Sequence, residues 1–296
     1  MAKTDKISNL KRLNSKNKIL IVAYLIKTLF KAKPSPAEEE AYVYYNFLIN
    51  NNGFLVSEDD QFFISDFFGS FRKRIKLRKR PSSDLFVFQQ VYGWKGYEPV
   101  VEAYNKNFSS DKTNIIDAGS NTGLTSLYFL EHFKNAKIVC IEPQRGNFEV
   151  LEFNLAENNN SDPVKINGGI WSSNTKIKVV SDFRDQSDWA FRVIETTEDD
   201  ALQAYSINSL AKQNHFEFID ILKIDVEGSE KEIFDKTKSD LGFLKITKCI
   251  AVEIHDEFNC REDIYSILTE YGFAFFQHGE LTIGVNQNLK HNGKNE

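Results

Sequence analysis

From about residue 112 the chain alternates short apolar runs with stretches of helical periodicity, a rhythm that predicts βαβ units and a parallel sheet. The runs cover residues 114–118, 137–141, 164–168, 219–225, 248–254, 273–276 and 281–285, seven strands in all. Helices are expected between the first five. Residues 151–158 and 263–271 have clear helical patterns, and Ser229 with Glu232 has the spacing of a capping box just after Gly228. Only His278-Gly279-Glu280 separates the last two strands, too short for a helical crossover, so they are predicted to form an antiparallel hairpin. The fold class is α/β and doubly wound, with a mostly parallel sheet whose final hairpin departs from the all-parallel dinucleotide-binding version.

Upstream the pattern differs. Residues 1–33 are basic around an apolar centre at 19–26, and Pro34-Ser35-Pro36 breaks any helix there. A second helix follows Ser35, with Glu38, Glu39 and Glu40 at its positive end and Tyr42, Tyr45, Phe47 and Leu48 on its buried side. An aromatic stretch at 62–71 then leads into the basic run 72–80, read as a linker or exposed edge. The predicted organisation is a basic, mainly helical extension at 1–80, a catalytic domain at 81–286 and a mobile tail at 287–296.

Composition narrows the class. With 296 residues, 41% hydrophobic and 13% aromatic, the chain buries one sizeable core and leaves room for a small second unit. Net charge is −5, yet residues 1–80 carry 16 Lys and Arg against 8 Asp and Glu, while the remainder carries 21 against 34. Cys140, Cys249 and Cys260 have neither CxxC spacing nor the number for a disulfide framework. The apolar run at 19–26 is too short to span a bilayer and is followed by no small-residue cleavage site. A cytoplasmic protein is expected, with peripheral membrane contact as an option.

Four constellations carry the chemistry. Asp117-Ala118-Gly119-Ser120-Asn121-Thr122-Gly123 joins a strand to a helix. There Gly119 would allow close backbone approach to a ligand, Gly123 would let the helix pack on the strand, and free N–H groups would receive a carboxylate-bearing group. The turn lacks the glycine that sits beneath a pyrophosphate, which disfavours a dinucleotide-dependent oxidoreductase. Glu142-Pro143 ends the second strand 23 residues beyond Gly119, where an acid takes hydrogen bonds from ribose hydroxyls. Lys223, Asp225 and Glu227 alternate along the fourth strand and project from one face, either as a structural ion pair or as a functional group. Glu253 and His255 end the next strand, so Asp225, Glu253 and His255 should converge over the carboxyl edge of the sheet.

These motifs, in this order, resemble those of the FkbM-type class I S-adenosylmethionine-dependent methyltransferases, over roughly residues 84–285. Residues 84–92 and Gly96-Tyr97-Glu98 look like the lead-in that such proteins set beside the cofactor pocket. The resemblance implies a seven-stranded Rossmann-like methyltransferase sheet and S-adenosylmethionine as cofactor. It implies cofactor contacts from Asp117, Gly119, Ser120, Asn121, Gly123, Glu142 and Pro143. The segment 167–171, with Gly169, Ile170 and Trp171, would border the adenine, and Tyr97 and Glu98 would lie nearby. It also implies O-methylation of a hydroxyl on a sugar, glycan or natural product.

In such a reaction His255 or Asp225 is expected to take the proton, with Glu253 orienting the histidine and Lys223 and Glu227 completing the charged set. A divalent metal held by Asp225, Glu253 and His255 is an alternative, although pairing with Lys223 accounts for Asp225 without one. A non-catalytic binding or assembly protein is the rival from another class. The run 72–80 is either simply solvated or a contact for an anionic membrane or lipid-linked glycan. Nucleic acid is disfavoured by the acidic catalytic part.

Overall fold

The computed structural model describes residues 8–69, 72–158, 162–180 and 192–290, so the expected tail beyond 290 lies outside them. The chain forms two compact units, Met1–Phe88 and Gln89–Glu296.

The first unit contains helices α1 (Ser15–Leu29) and α2 (Pro36–Asn50), then an antiparallel meander of β1 (Gly53–Glu58), β2 (Phe62–Phe68) and β3 (Arg72–Arg78), and the short helix α3 (Asp84–Phe88). At the start of α2, Ser35 Oγ accepts from the Glu38 amide while Glu38 accepts from the Ser35 amide, a complete capping box. Tyr44 of α2 stacks on Phe63 of β2 with ring centroids 3.6 Å apart.

Two expectations for this unit are corrected. The run 72–80 is no linker: most of it is β3, an edge strand as one of the two expectations had it, but half-buried rather than exposed. Its alternation hides Ile75 and Leu77 completely, and Arg74 stands opposite Asp66 across the strand pair. Arg72 and Arg74 bind Asp66, Arg78 binds Asp84, and Lys79 binds Glu58. The unit also ends at Phe88 rather than at 80, because Phe88 packs against Phe47 and Phe67 at 5.1 and 4.5 Å.

The second unit runs α4 (Glu98–Asn107), β4 (Thr113–Ala118), α5 (Leu124–His132), β5 (Ala136–Ile141), α6 (Arg145–Asn158), β6 (Val164–Ile166), β7 (Gly169–Ile170), β8 (Thr175–Val180), β9 (Arg192–Glu195), β10 (Leu202–Tyr205), α7 (Ile207–Gln213), β11 (Ile219–Ile224), α8 (Glu230–Ile233), α9 (Phe243–Ile246), β12 (Thr247–Glu253), α10 (Arg261–Glu270), β13 (Phe273–His278) and β14 (Leu281–Asn286). Seven described strands form one sheet in the order β13-β14-β12-β11-β4-β5-β6. β14 is antiparallel to both β12 and β13, and the other pairings are parallel, as the apolar pattern predicts. Ile116, Leu222 and Ile250 join a core with Leu210, Phe243 and Ile264, while their neighbours Ile115, Ile221 and Cys249 are equally hidden. Successive strand residues face opposite ways, so both faces of the sheet are covered.

A second sheet, β7-β10-β8-β9, lies between β6 and α7 around Ile177, Val193 and Ala204 and was not foreseen. The helix expected at Ser229 is a single turn. Ser229 adopts helical angles (φ −70°, ψ −8°) rather than the extended ones of a cap, and its hydroxyl makes no capping bond.

Asp220, at the amino end of β11, joins three elements. Its carboxylate accepts from Tyr104 Oη, the Asn114 amide and Lys248 Nζ, each at 2.7 Å. Asp220→Ala strands these donors and is expected to cost about 3 kcal/mol, measured as the shift in chemical denaturation.

Candidate active site

After β4 the chain turns through Gly119 (φ +78°), Asn121 (φ +47°) and Gly123 (φ +80°) into α5. A Cβ on Gly119 would sit 1.7 Å from the carbonyl oxygen of Asp225, so the backbone just past the neighbouring strand by itself demands this glycine. A Cβ on Gly123 would come within 3.2 Å of Leu151, so the gap serves packing on α6 instead of on a strand. The turn's amides are also engaged. Gly119 and Ser120 donate to the Ile141 carbonyl, Gly123 donates to that of Ser120, and Asn121 donates to Glu142 Oε2 at 2.9 Å. Ser120 Oγ donates to the Asp117 carbonyl and accepts from the Ile141 amide, a structural role. Those four amides are spent within the fold, so the corner adds acceptors, and the free N–H groups are left to the start of α5 from Leu124 onward. Asn121 Oδ1 is buried without a hydrogen-bond partner among the described residues, next to the Glu142 carboxylate.

Glu142 directly follows β5 and is almost hidden. Burial pushes its pKa up to about 7, against the amides of Gln144 and Asn121 and the Asn147 side chain, which favour the charged form. Asn167 Nδ2 donates to the carbonyls of Glu142 (2.8 Å) and Pro143 (3.1 Å), fixing this corner to the segment after β6. An open cavity of about 310 Å³ lies beside it, lined by Pro143, Gln144, Asn167, Ile177, Lys178 and Leu202 among others. Gly169 and Ile170 form β7, with Ile170 in the core, and Trp171 packs on the small sheet. Glu98 begins α4 paired with Lys95 at 2.7 Å. Tyr97 is buried edge-on to Phe129. Its phenol pKa is raised by burial and by Asp225 and Glu253, with Lys223 opposing.

The charged residues expected to converge do so. Lys223 of β11 is 2% exposed, with Nζ 3.3 Å from Asp117 Oδ1 and 3.4 Å from Asp225 Oδ2, and it donates to the Gly119 carbonyl at 2.5 Å. Burial alone would lower its pKa, but the Asp117 and Asp225 carboxylates hold it well above the ordinary value. Ser126 Oγ donates to the other Asp117 oxygen at 2.5 Å. Asp225, Glu253 and His255 bring one ligand atom each to within 4.8 Å of one another.

Glu227 reaches the site differently from the expected alternation. The strand ends at Ile224, and Glu227 sits at φ +49° in a turn before Gly228. From there its Oε2 lies 3.3 Å from His255 Nε2, while His255 Nδ1 binds Glu230 Oε1 at 3.0 Å. Burial lowers the His255 pKa, but the bonds from Glu227 and Glu230 outweigh it and push the value up to about 11. Held between two acids, the imidazole favours its charged form, which sets it against the expected role of base and leaves Glu253 as the more open proton acceptor.

Glu253 inherits the proton affinity instead. The Asp225 carboxylate and then burial push its pKa up to about 8, with His255 pulling the other way. Its side chain is 24% exposed and that of Asp225 27%, whereas His255 is sealed. Sequence reasoning missed Glu230, which is fully buried, because the Ser229 and Glu232 spacing drew attention to a cap.

The model of the methyltransferase FkbM domain matches residues 117–275, more than half of the chain. The chain belongs to the FkbM methyltransferase family. The match spans the turn at Asp117, Glu142, Lys223 and the His255 cluster. This FkbM chain is 28% identical over 191 residues to methyltransferase sdnD of Sordaria araneosa, covering 54% of the chain and 73% of that relative. Solved structures resemble it more distantly. The N-terminal domain of human METTL16 in complex with SAH is 11% identical with a TM-score of 0.40, covering 85% of this chain and 81% of that one. An rRNA methylase from Streptococcus thermophilus is 12% identical with a TM-score of 0.38, covering 63% and 93%. The fold assignment rests on this chain's own sheet order.

Removing His255 leaves Glu227 and Glu230 buried against each other, so His255→Ala is expected to cost about 3–5 kcal/mol. The folded pKa of His255 is raised, so its contribution is complete below the unfolded value of 6.5 and is lost as pH climbs through about 11. Urea midpoints of wild type and variant should therefore converge between about pH 6 and pH 10, and a constant gap would contradict the assigned charge.

Proposed function

We propose that this methyltransferase uses S-adenosylmethionine to methylate a hydroxyl of a sugar, glycan or natural product, with Glu253 as general base. The observation that carries this reading is the accessible carboxylate pair, Asp225 and Glu253, beyond β11 and β12. Lys223 ties it to the Gly119 turn.

The cofactor fits the acceptors of the corner. Asn121 Oδ1 and the Glu142 carboxylate suit hydroxyl donors such as those of a ribose, and the cavity beside Pro143 and Asn167 suits a flat base. When bound, S-adenosylmethionine supplies a methyl group on a sulfonium, an electrophile that needs no further activation. The protein's tasks are then orientation, which supplies about 7–11 kcal/mol, and proton removal, a factor on the order of 100 to 10,000.

Glu253 is suited to the second task because its pKa of about 8 lies near neutrality. Asp225 supports it by raising that value, and the His255 cation, 3.8 Å from Glu253 Oε1, limits the rise and positions the carboxylate. Tyr97 keeps its proton and serves as a donor beside the pair. Beyond residue 80 acids outnumber bases, 34 to 21, which weighs against a polyanionic acceptor.

Labelled-methyl transfer to glycan and small-molecule hydroxyl acceptors tests the reading. Glu253→Gln is expected to lower kcat by a factor on the order of 100 to 10,000, and the wild-type rate should rise with pH through about 8. A variant with wild-type turnover removes Glu253 from the role.

Isothermal titration with S-adenosylhomocysteine separates an enzyme from a binding scaffold. Glu142 holds its proton up to about pH 7 in the free protein, whereas hydroxyl donors favour the carboxylate. Affinity should therefore tighten as pH rises through about 7, and Glu142→Gln should bind more weakly with that pH dependence gone. An unchanged profile in the variant would assign the ribose contact elsewhere.

A further inference from the structure

The first unit carries an apolar face that its own core does not use. On α1, Ile19, Val22, Leu25, Ile26 and Leu29, with Phe30 just beyond, are all exposed, from 44% for Leu25 to 77% for Leu29 and Phe30. At 100° per residue these positions fall on one side of the helix, the side opposite buried Asn17 and Ile21. The inner side is occupied, since Tyr24 stacks on Tyr42 of α2 at 4.1 Å. Thr28, which falls on the side of Ile21 and Tyr24, donates its hydroxyl to the carbonyls of Tyr24 and Leu25 and leaves the outer stripe apolar. A continuous apolar stripe of this kind marks an interaction surface.

Charge says what the stripe meets. Between residues 6 and 37 there is no Asp or Glu, against 8 Lys and Arg. Lys11, Lys16, Lys31 and Lys33 are exposed around the ends of α1. In a second copy of this chain the same acid-free segment would bring lysines against lysines around the stripe. Among the described residues no helix is long and apolar enough to cross a membrane, and α1 has 15 residues. Apolar residues on one face with lysines at the margins is the pattern of a helix lying in a bilayer interface. In the basic run at 72–80, the other candidate for such a contact, Arg72, Arg74, Arg78 and Lys79 are engaged by Asp66, Asp84 and Glu58.

We propose that α1 docks this chain on an anionic membrane, its apolar stripe seated among the acyl chains and its lysines on acidic headgroups. The membrane is thus met by a helix, and the arginine run of β3 plays no part.

Sedimentation of the full chain with vesicles tests this. Binding to vesicles of about 30% phosphatidylglycerol in phosphatidylcholine is expected, falling steeply with salt and weak on pure phosphatidylcholine. Ile26→Glu with Leu29→Glu should weaken binding by about tenfold or more. Lys16→Gln, Lys31→Gln and Lys33→Gln should each weaken it about fivefold. All five side chains are exposed, so circular dichroism and S-adenosylhomocysteine binding should match the wild type. The proposal is overturned by absent binding, by equal binding to neutral vesicles, or by a glutamate pair that binds like the wild type. It is equally overturned if the wild type is a dimer that the glutamate pair converts to monomer, since a second copy then covers the stripe.

Discussion

A lysine inside a parallel sheet is where the two halves of this site meet. Lys223 sits in the strand between β4 and β12 with its ammonium removed from water, a state that is costly unless every donor finds a partner. Here the partners are the Asp117 and Asp225 carboxylates and the carbonyls of Ala118 and Gly119. Asp117 and the two carbonyls belong to the turn into α5, and Asp225 lies where β11 ends. One charge therefore fixes the distance between that turn and the carboxylates beside it, the two stations of the proposed reaction.

From that lysine the charges continue across the carboxyl edge as Asp117, Lys223, Asp225, Glu253 and His255, with Glu227 and Glu230 behind the histidine. Signs alternate along the row except where Asp225 meets Glu253. At that one like-charged contact the field opposes ionisation, and proton affinity rises. The cations on either side prevent the repulsion from spreading. The row thus raises proton affinity on the carboxylates that remain accessible and favours the charged form of the sealed histidine.

Much of this was legible in the sequence. The seven strands, the hairpin through Gly279 and the meeting of Asp225, Glu253 and His255 follow from apolar spacing and from the rule that functional groups gather at strand ends. What was not legible depended on distant partners. Period-two burial of Ile75 and Leu77 was masked by the arginines on either side of them, Arg74 and Arg78, whose acids lie at 66 and 84. The small sheet from β7 to β10 is made of short, polar-interrupted strands with little pattern to detect. The spacing of His255 shows Glu253 alone, while the two acids that flank its ring, Glu227 and Glu230, come from a turn and the single helical turn after it, which regular alternation does not describe.

The near contact between Gly119 and the Asp225 carbonyl has a further meaning for how such a protein can diversify. Any side chain at 119 would push the end of β11 away, so that end is not free to drift. Relatives that vary the segment from Glu253 onward leave this contact untouched, whereas an exchange breaking between 119 and 225 has to carry both partners together. The architecture is modular on one side of Lys223 and indivisible on the other.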